Sequence, residues 1–166
     1  MPIALRRAVL QTPDATAADS ATVESALKFR RPDCYRHESM PTAVTSGVRV
    51  TVESTYLDEH SSPDENRYAF AYFVTIANES APRVQLRRRH WIITDGNGKV
   101  EEVEGPGVVG EQPVLAPGDS HRYTSGAVIA TPVGTMEGTY EMHDAEGGVF
   151  KADIPRFSLR MPGIMQ

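Results

Sequence analysis

At 166 residues, with 40% apolar and 23% charged side chains, a formal net charge of -5 and one cysteine, the chain has room for one ordinary hydrophobic core and carries no global basic field to draw it onto nucleic acid or an anionic membrane. The lone Cys34 excludes an internal disulfide framework and a cysteine-based zinc site. No apolar run approaches the roughly 18 residues that span a bilayer, so the expectation is a cytoplasmic protein without membrane insertion or a nucleic-acid partner.

The first stretch, residues 1–41, is dominated by Ala, Thr, Ser, Asp and Arg and lacks β-branched alternation. It reads as a flexible or weakly helical N-terminal extension, with Val23, Ala26 and Leu27 at helical spacing between Ser20 and Phe29. Met40 leads directly into the first strand, so the expectation for the preceding residues is either an upstream-start artefact or a disordered extension. Six basic and five acidic residues precede Met40, leaving eleven basic and seventeen acidic ones after it; the acidity belongs to the domain, residues 42–166.

From Gly47 to Tyr56, Val48, Val50 and Val52 alternate with Arg49, Thr51 and Glu53, the period of two that marks a half-buried strand. A turn-forming loop from His60 to Asn66 leads into Arg67–Asn78, apolar on both faces as a central strand is. Arg83 to Asp95 gives a third strand, Asp95-Gly-Asn-Gly98 a hairpin turn, and Lys99 to Glu104 the returning strand. Strands follow over Ser120–Ile129, Gly138–Asp144 and Val149–Leu159, with a loop at Thr131–Gly134. Leu115, Pro117-Gly118 and Tyr123 resemble a tyrosine corner, whose phenol ties back to the corner backbone in immunoglobulin-like sandwiches. Some seven short strands separated by turn signals predict an all-β fold, a two-sheet antiparallel β-sandwich.

Gly105, Gly107 and Gly110 stand in the pattern GxGxxG, which in dinucleotide enzymes joins a strand to a helix so that backbone N–H groups meet a pyrophosphate. Pro113 and Pro117 preclude that helix here, and four glutamates (Glu101, Glu102, Glu104 and Glu111) lie close by in sequence. The structural reading, a strand turning into a loop, therefore stands ahead of a phosphate cradle. The basic cluster Arg87-Arg88-Arg89 places Arg87 and Arg89 on one side of a regular strand and Arg88 with His90 on the other. Arg87 and Arg89 could take a phosphate beside the glycine loop, or pair with the glutamates of the returning strand.

The five histidines show no metal-ligand spacing. Glu102 and Glu104, on one strand face, are the weak candidates for a divalent ion, and acidic strands are more often simply exposed. Neither Ser125 nor Cys34 lies in a nucleophile motif, so no catalytic residues and no cofactor are assigned, and Tyr68, Phe70, Tyr72 and Trp91 read as core.

The strings Arg89-His90-Trp91-Ile92-Ile93-Thr94-Asp95, Gly107-Val-Val-Gly-Glu-Gln-Pro113, Pro117-Gly118, Tyr123-Thr-Ser-Gly126, Thr131-Pro132 and Gly138-Thr-Tyr-Glu-Met142 resemble the ApaG family from about Val48 to Pro162. That resemblance implies a fibronectin type III-like sandwich in a bacterial protein associated with cobalt and magnesium efflux, with relatives that act as binding modules. Two functions follow. The first is a non-enzymatic interaction or regulatory module with a protein partner, for which an exposed sheet edge is the docking candidate. The second is a module binding a di- or polyphosphate, with or without a divalent metal, through Gly105, Gly107, Gly110, Arg87 and Arg89.

Overall fold

Alternation in the valine-rich stretch decides which way the first sheet faces. In the computed structural model, which describes residues 40–163, β1 (Thr42–Thr45) and β2 (Val48–Tyr56) form a hairpin. Val48, Val50 and Val52 are fully buried while Arg49 is exposed. β3 (Tyr68–Asn78) pairs antiparallel with β2 on one side and with β7 (Ser120–Ile129) on the other. It is the central strand expected, with Ala69 and Ala71 buried on one face and Tyr68, Phe70, Tyr72, Val74 and Ile76 on the other. Two short 3-10 turns, Asp58–His60 and Pro63–Glu65, fill the loop before it.

The second sheet runs β5 (Val100–Pro106), β4 (Val84–Asp95), β8 (Val133–Asp144) and β9 (Val149–Arg160), with the two-residue β6 (Val114–Leu115) also against β4. Every pairing is antiparallel, so the chain is the two-sheet antiparallel β-sandwich that its alternation predicts. Among the described residues no helix is long and apolar enough to cross a membrane. The expected extension before Met40, with its helical spacing, and Cys34 lie outside the described residues.

β1 and the first half of β8 go beyond the expected strands. β1 alternates between exposed and half-buried residues and so carries no apolar signal. Gly134 reads as a loop residue and Gly138 as the start of a strand, yet both lie inside β8. At Gly138 the reason is space: a Cβ there would sit 2.0 Å from the His90 carbonyl oxygen of the neighbouring strand, so only glycine lets β4 and β8 run this close.

The core is built around Trp91. Its ring centre lies 5.3 Å from Tyr72, 6.0 Å from Phe157 and 6.3 Å from Tyr140, and all four are buried. One flank of the sandwich is closed by β1 and β9, where the Asp153 N–H donates to Thr45 Oγ1 at 3.1 Å. Nearby the Ser54 hydroxyl donates to the Ser158 carbonyl at 2.8 Å.

The expected tyrosine corner is absent, because the Tyr123 hydroxyl reaches across the sandwich to the Tyr140 hydroxyl. Asn78, fully buried, holds the corner instead. Its side-chain amide donates to the carbonyls of Pro82 (2.9 Å) and Leu115 (3.0 Å), and its backbone exchanges bonds with Gly118 and Asp119.

Burial pushes the Tyr72 phenol up to about 12, offset in part by its bond to Ser125 and by the Arg89 charge. Burial likewise raises Tyr123 and Tyr140 well above the ordinary phenol range. A phenol whose folded pKa is raised stabilises the fold fully below its unfolded value near 10 and loses that contribution as pH rises through the folded value. Unfolding free energy should therefore fall above about pH 10, by about 1.4 kcal/mol per pH unit for each such phenol. Urea titrations across that range, with tyrosinate absorbance followed in parallel, check this. All six tyrosines ionising while the near-UV circular dichroism stays native would refute it.

Candidate functional site

The arginine cluster and the glycine loop meet on the other flank of the sandwich, and a single irregularity in β4 decides how. The register slips between Leu86 and Arg88, a bulge that makes Arg87 the extra residue. Arg87 and Arg88 are exposed, and from there the alternation restarts with Arg89 and Trp91 facing inward. Arg87 and Arg89 thus do not share a face as a regular strand would place them; Arg88 and His90 do.

Arg89 is half-buried and its Nη1 donates to the carbonyls of Pro106 (3.0 Å) and Gly107 (2.9 Å). Gly105, its partner on β5, provides the seat, since a Cβ at that position would lie 3.1 Å from the guanidinium nitrogens. No carboxylate among the described residues pairs with this cation. Loop carbonyls face it instead, and its charge favours the ionised forms of the buried phenols of Tyr72, Tyr123 and Tyr140.

Past Gly107 the chain makes a two-residue turn in which Val108 and Glu111 exchange both backbone hydrogen bonds (2.8 and 2.9 Å). The two central residues, Val109 and Gly110, have φ of 52° and 77°, the left-handed pair of a type I′ turn. For a β-branched residue that conformation is strained. Val108 is fully buried and plugs the flank, while Gly107, at φ 62°, has no room for a Cβ, which would fall 2.3 Å from the Glu111 carbonyl oxygen.

The structure thus brings Arg89, Gly105 and Gly107 together and leaves the Arg87 guanidinium outside and Gly110 exposed at the turn. The Gly107 N–H donates to the Arg87 carbonyl at 2.9 Å and the Val108 N–H to Glu111. Two of the amides that would form a phosphate cradle are therefore engaged within the fold, and the loop offers its carbonyls to its own arginine.

His121, at the rim of this flank, stacks on Tyr123 and approaches Glu111 at 3.9 Å. Burial lowers its pKa, with Glu111 partly opposing the shift.

Glu102 and Glu104 lie on the outer face of β5, where both approach His90 at 2.9 and 3.9 Å. The contacts with the β5 glutamates that the sequence offers to Arg87 or Arg89 are made by His90 instead, and Glu101 pairs with Lys99 at 3.2 Å. Among the described residues no three His, Cys, Asp or Glu side chains are grouped to hold a metal ion. Ser125 is buried beside Tyr72.

Sequence reasoning passed over Arg156 and Arg160, two exposed arginines of β9 that line a cavity with Thr94, Thr135 and Ser158. Their only sequence signal is their alternation with the buried Phe157 and Leu159.

The sequence profile of the ApaG domain matches residues 58–144. A protein of Brucella anthropi described as ApaG is 57% identical over 120 residues, covering 72% of this chain and 92% of that protein. One of Pseudomonas aeruginosa, with the same description, is 55% identical over 118 residues, 71% of this chain and 94% of its own. The crystal structure of a Bordetella pertussis protein described as ApaA superimposes with a TM-score of 0.69 at 45% identity, over 75% of this chain and 98% of that one.

Replacing Arg89 by methionine keeps the apolar stem and removes the charge and both carbonyl bonds. Hydrogen bonds to charged groups contribute about 1.5–3 kcal/mol each, so the variant should lose on the order of 2–4 kcal/mol in denaturant unfolding. A loss within experimental error would show that the guanidinium does not hold the loop.

Proposed function

The chain belongs to the ApaG family, and from that premise we propose that it is a non-enzymatic interaction module of the bacterial cytoplasm, docking an extended segment of a protein partner along the free edge of β5. The observation that carries this reading is the edge itself. β5 ends its sheet, so alternate N–H and C=O groups of Val100–Glu104 face away from β4, available for a further strand. β1 and β9, by contrast, cover one another.

On the opposite flank two strands end their sheets, β5 and β7, and only β5 is acidic. Glu102 and Glu104 are exposed along it and Val100 is 55% exposed at its start. Like charges disfavour pairing with β5 of a second copy, whereas a basic extended segment gains both the ladder hydrogen bonds and opposite-charge cross-strand pairs. An accessory role in cobalt and magnesium efflux, which the family resemblance implies, would run through such a partner. Phosphate binding at the glycine loop gains no support from amides already engaged with Arg87 and Glu111.

Lysines make the reading testable, because Lys99 immediately precedes β5 and Lys151 lies on β9. Amine-reactive crosslinking of the full chain in cell extract should join a partner through Lys99. The charge-reversed variant Glu102→Arg/Glu104→Arg, which adds no primary amine, should recover about tenfold less of that partner, the factor that follows from about 1.4 kcal/mol. Crosslinks through Lys151 alone, or capture indifferent to the charge reversal, would contradict docking on β5.

A further inference from the structure

Beside the start of β5 and away from the glycine loop, the outer face of the second sheet carries a row of hydroxyls between two arginines. Thr94, Thr135 and Ser158 are consecutive cross-strand partners on β4, β8 and β9, and their neighbours Ile93, Met136 and Phe157 are buried, so the three hydroxyl side chains share the outer face. On β9 the register slips opposite Met136–Gly138, so Pro155 and Arg156 together oppose Glu137. That bulge leaves Arg156, Ser158 and Arg160 on the outer side, all exposed.

These residues line a cavity of ≈ 210 Å³ together with Asp95, Gly96 and Val133. Its walls are held in place from beneath. The Gly96 N–H donates to Thr131 Oγ1 at 2.8 Å, and the Thr131 hydroxyl donates to the Val133 carbonyl at 2.7 Å, with Thr131 itself buried.

Neither the Arg156 nor the Arg160 guanidinium makes an ion pair or hydrogen bond among the described residues, although both backbones lie in β9. Two carboxylates are near. Asp95 lines the cavity, but its Oδ1 already accepts the N–H groups of Asn97 and Lys99, both at 2.9 Å, in its own hairpin turn. Glu137 lies across from the bulge without pairing with Arg156. The lining thus offers two free guanidinium forks and three hydroxyl donors against one lining carboxylate already bonded to its turn.

We propose that this cavity is an anion site that takes the phosphate groups of a diphosphate-bearing ligand. The two arginines stand four residues apart, about 13 Å between Cα atoms on an extended strand. Their long side chains can close on an oxyanion from both sides, each fork meeting a separate phosphate, while the row of hydroxyls supplies donors to the bridging region. A single carboxylate has too few oxygens to engage both forks and the hydroxyls together.

The test is a nuclear magnetic resonance titration of the full chain with pyrophosphate, following backbone amides. Saturable shifts should centre on Thr94–Gly96, Thr135 and Ser158–Arg160 and leave Gly105–Gly110 unmoved. Arg156→Gln and Arg160→Gln should each weaken binding about tenfold, with unchanged melting temperature because both positions are exposed. A parallel titration with adenosine diphosphate identifies the source: tighter binding than pyrophosphate assigns the site to the phosphates of a nucleotide, and equal binding to inorganic diphosphate. Absence of saturable shifts up to the order of millimolar pyrophosphate would overturn the proposal. So would shifts centred on the glycine loop, or undiminished affinity in the double arginine variant.

Discussion

The grip of Arg89 on the carbonyls of Pro106 and Gly107 is the contact on which this flank of the sandwich depends. A guanidinium drawn partly inside a β-sandwich loses hydration and must be met by acceptors. No carboxylate among the described residues pairs with it; the loop supplies two carbonyls, and Gly105 leaves the space in which the planar head sits. Once the carbonyls of residues 106 and 107 are fixed, Val108 is placed to fill the flank and the tight turn at Val109–Gly110 follows. The glycines are thus shaped by an arginine from within the same molecule. Strand, bulge, arginine and loop form one closed set, and the three buried phenols of Tyr72, Tyr123 and Tyr140 lie under the influence of the same positive charge.

Much of this architecture is legible in the amino-acid sequence wherever one face of a strand is buried and the other is not. The Val48, Val50, Val52 register and the two-sided apolar β3 are read directly from alternation, as is the absence of a helix after the glycines, which the prolines announce. What alternation cannot show is a change of phase. The bulge at Arg87 leaves no mark in residue type, so the cluster of three arginines looks like a regular strand with Arg87 and Arg89 side by side. Gly134 misleads in the opposite direction: it looks like a loop residue but marks close approach of backbones within a sheet. Tyr123 sits at the spacing of a tyrosine corner, yet an asparagine 45 residues earlier in the chain, Asn78, satisfies that corner through Leu115 and Gly118. Such long-range satisfaction of buried polar groups is a property of the fold and has no local signature.

The functional surfaces follow a similar division. The acidic edge of β5 is visible in sequence as Glu101, Glu102 and Glu104, and the fold turns it into a surface by leaving β5 without an outer neighbour. Arg156 and Arg160 attract no notice in a chain of net charge -5, since a bulk count averages away a local pair of cations. Only the alignment of three hydroxyl residues from strands far apart in sequence, at positions 94, 135 and 158, together with the bulge that leaves Arg156 outward, makes them a site. The same sheet thus carries an acidic strand edge and a basic cavity, which adjoin where Thr94 pairs with Val100.

The most direct measure of the Arg89 clamp is native-state hydrogen exchange at the glycine loop. If the loop is a closed structural element, the amides of Gly107, Val108 and Glu111, whose N–H groups are donated within the fold at 2.8–2.9 Å, exchange slowly. Substituting Arg89 by methionine should speed all three through local opening, while the amides of β2 and β3 lose protection only as far as global stability falls. Exchange of those three amides in the native protein as fast as at the exposed Gly98 turn would contradict it, and would return the glycines to the role of an open cradle.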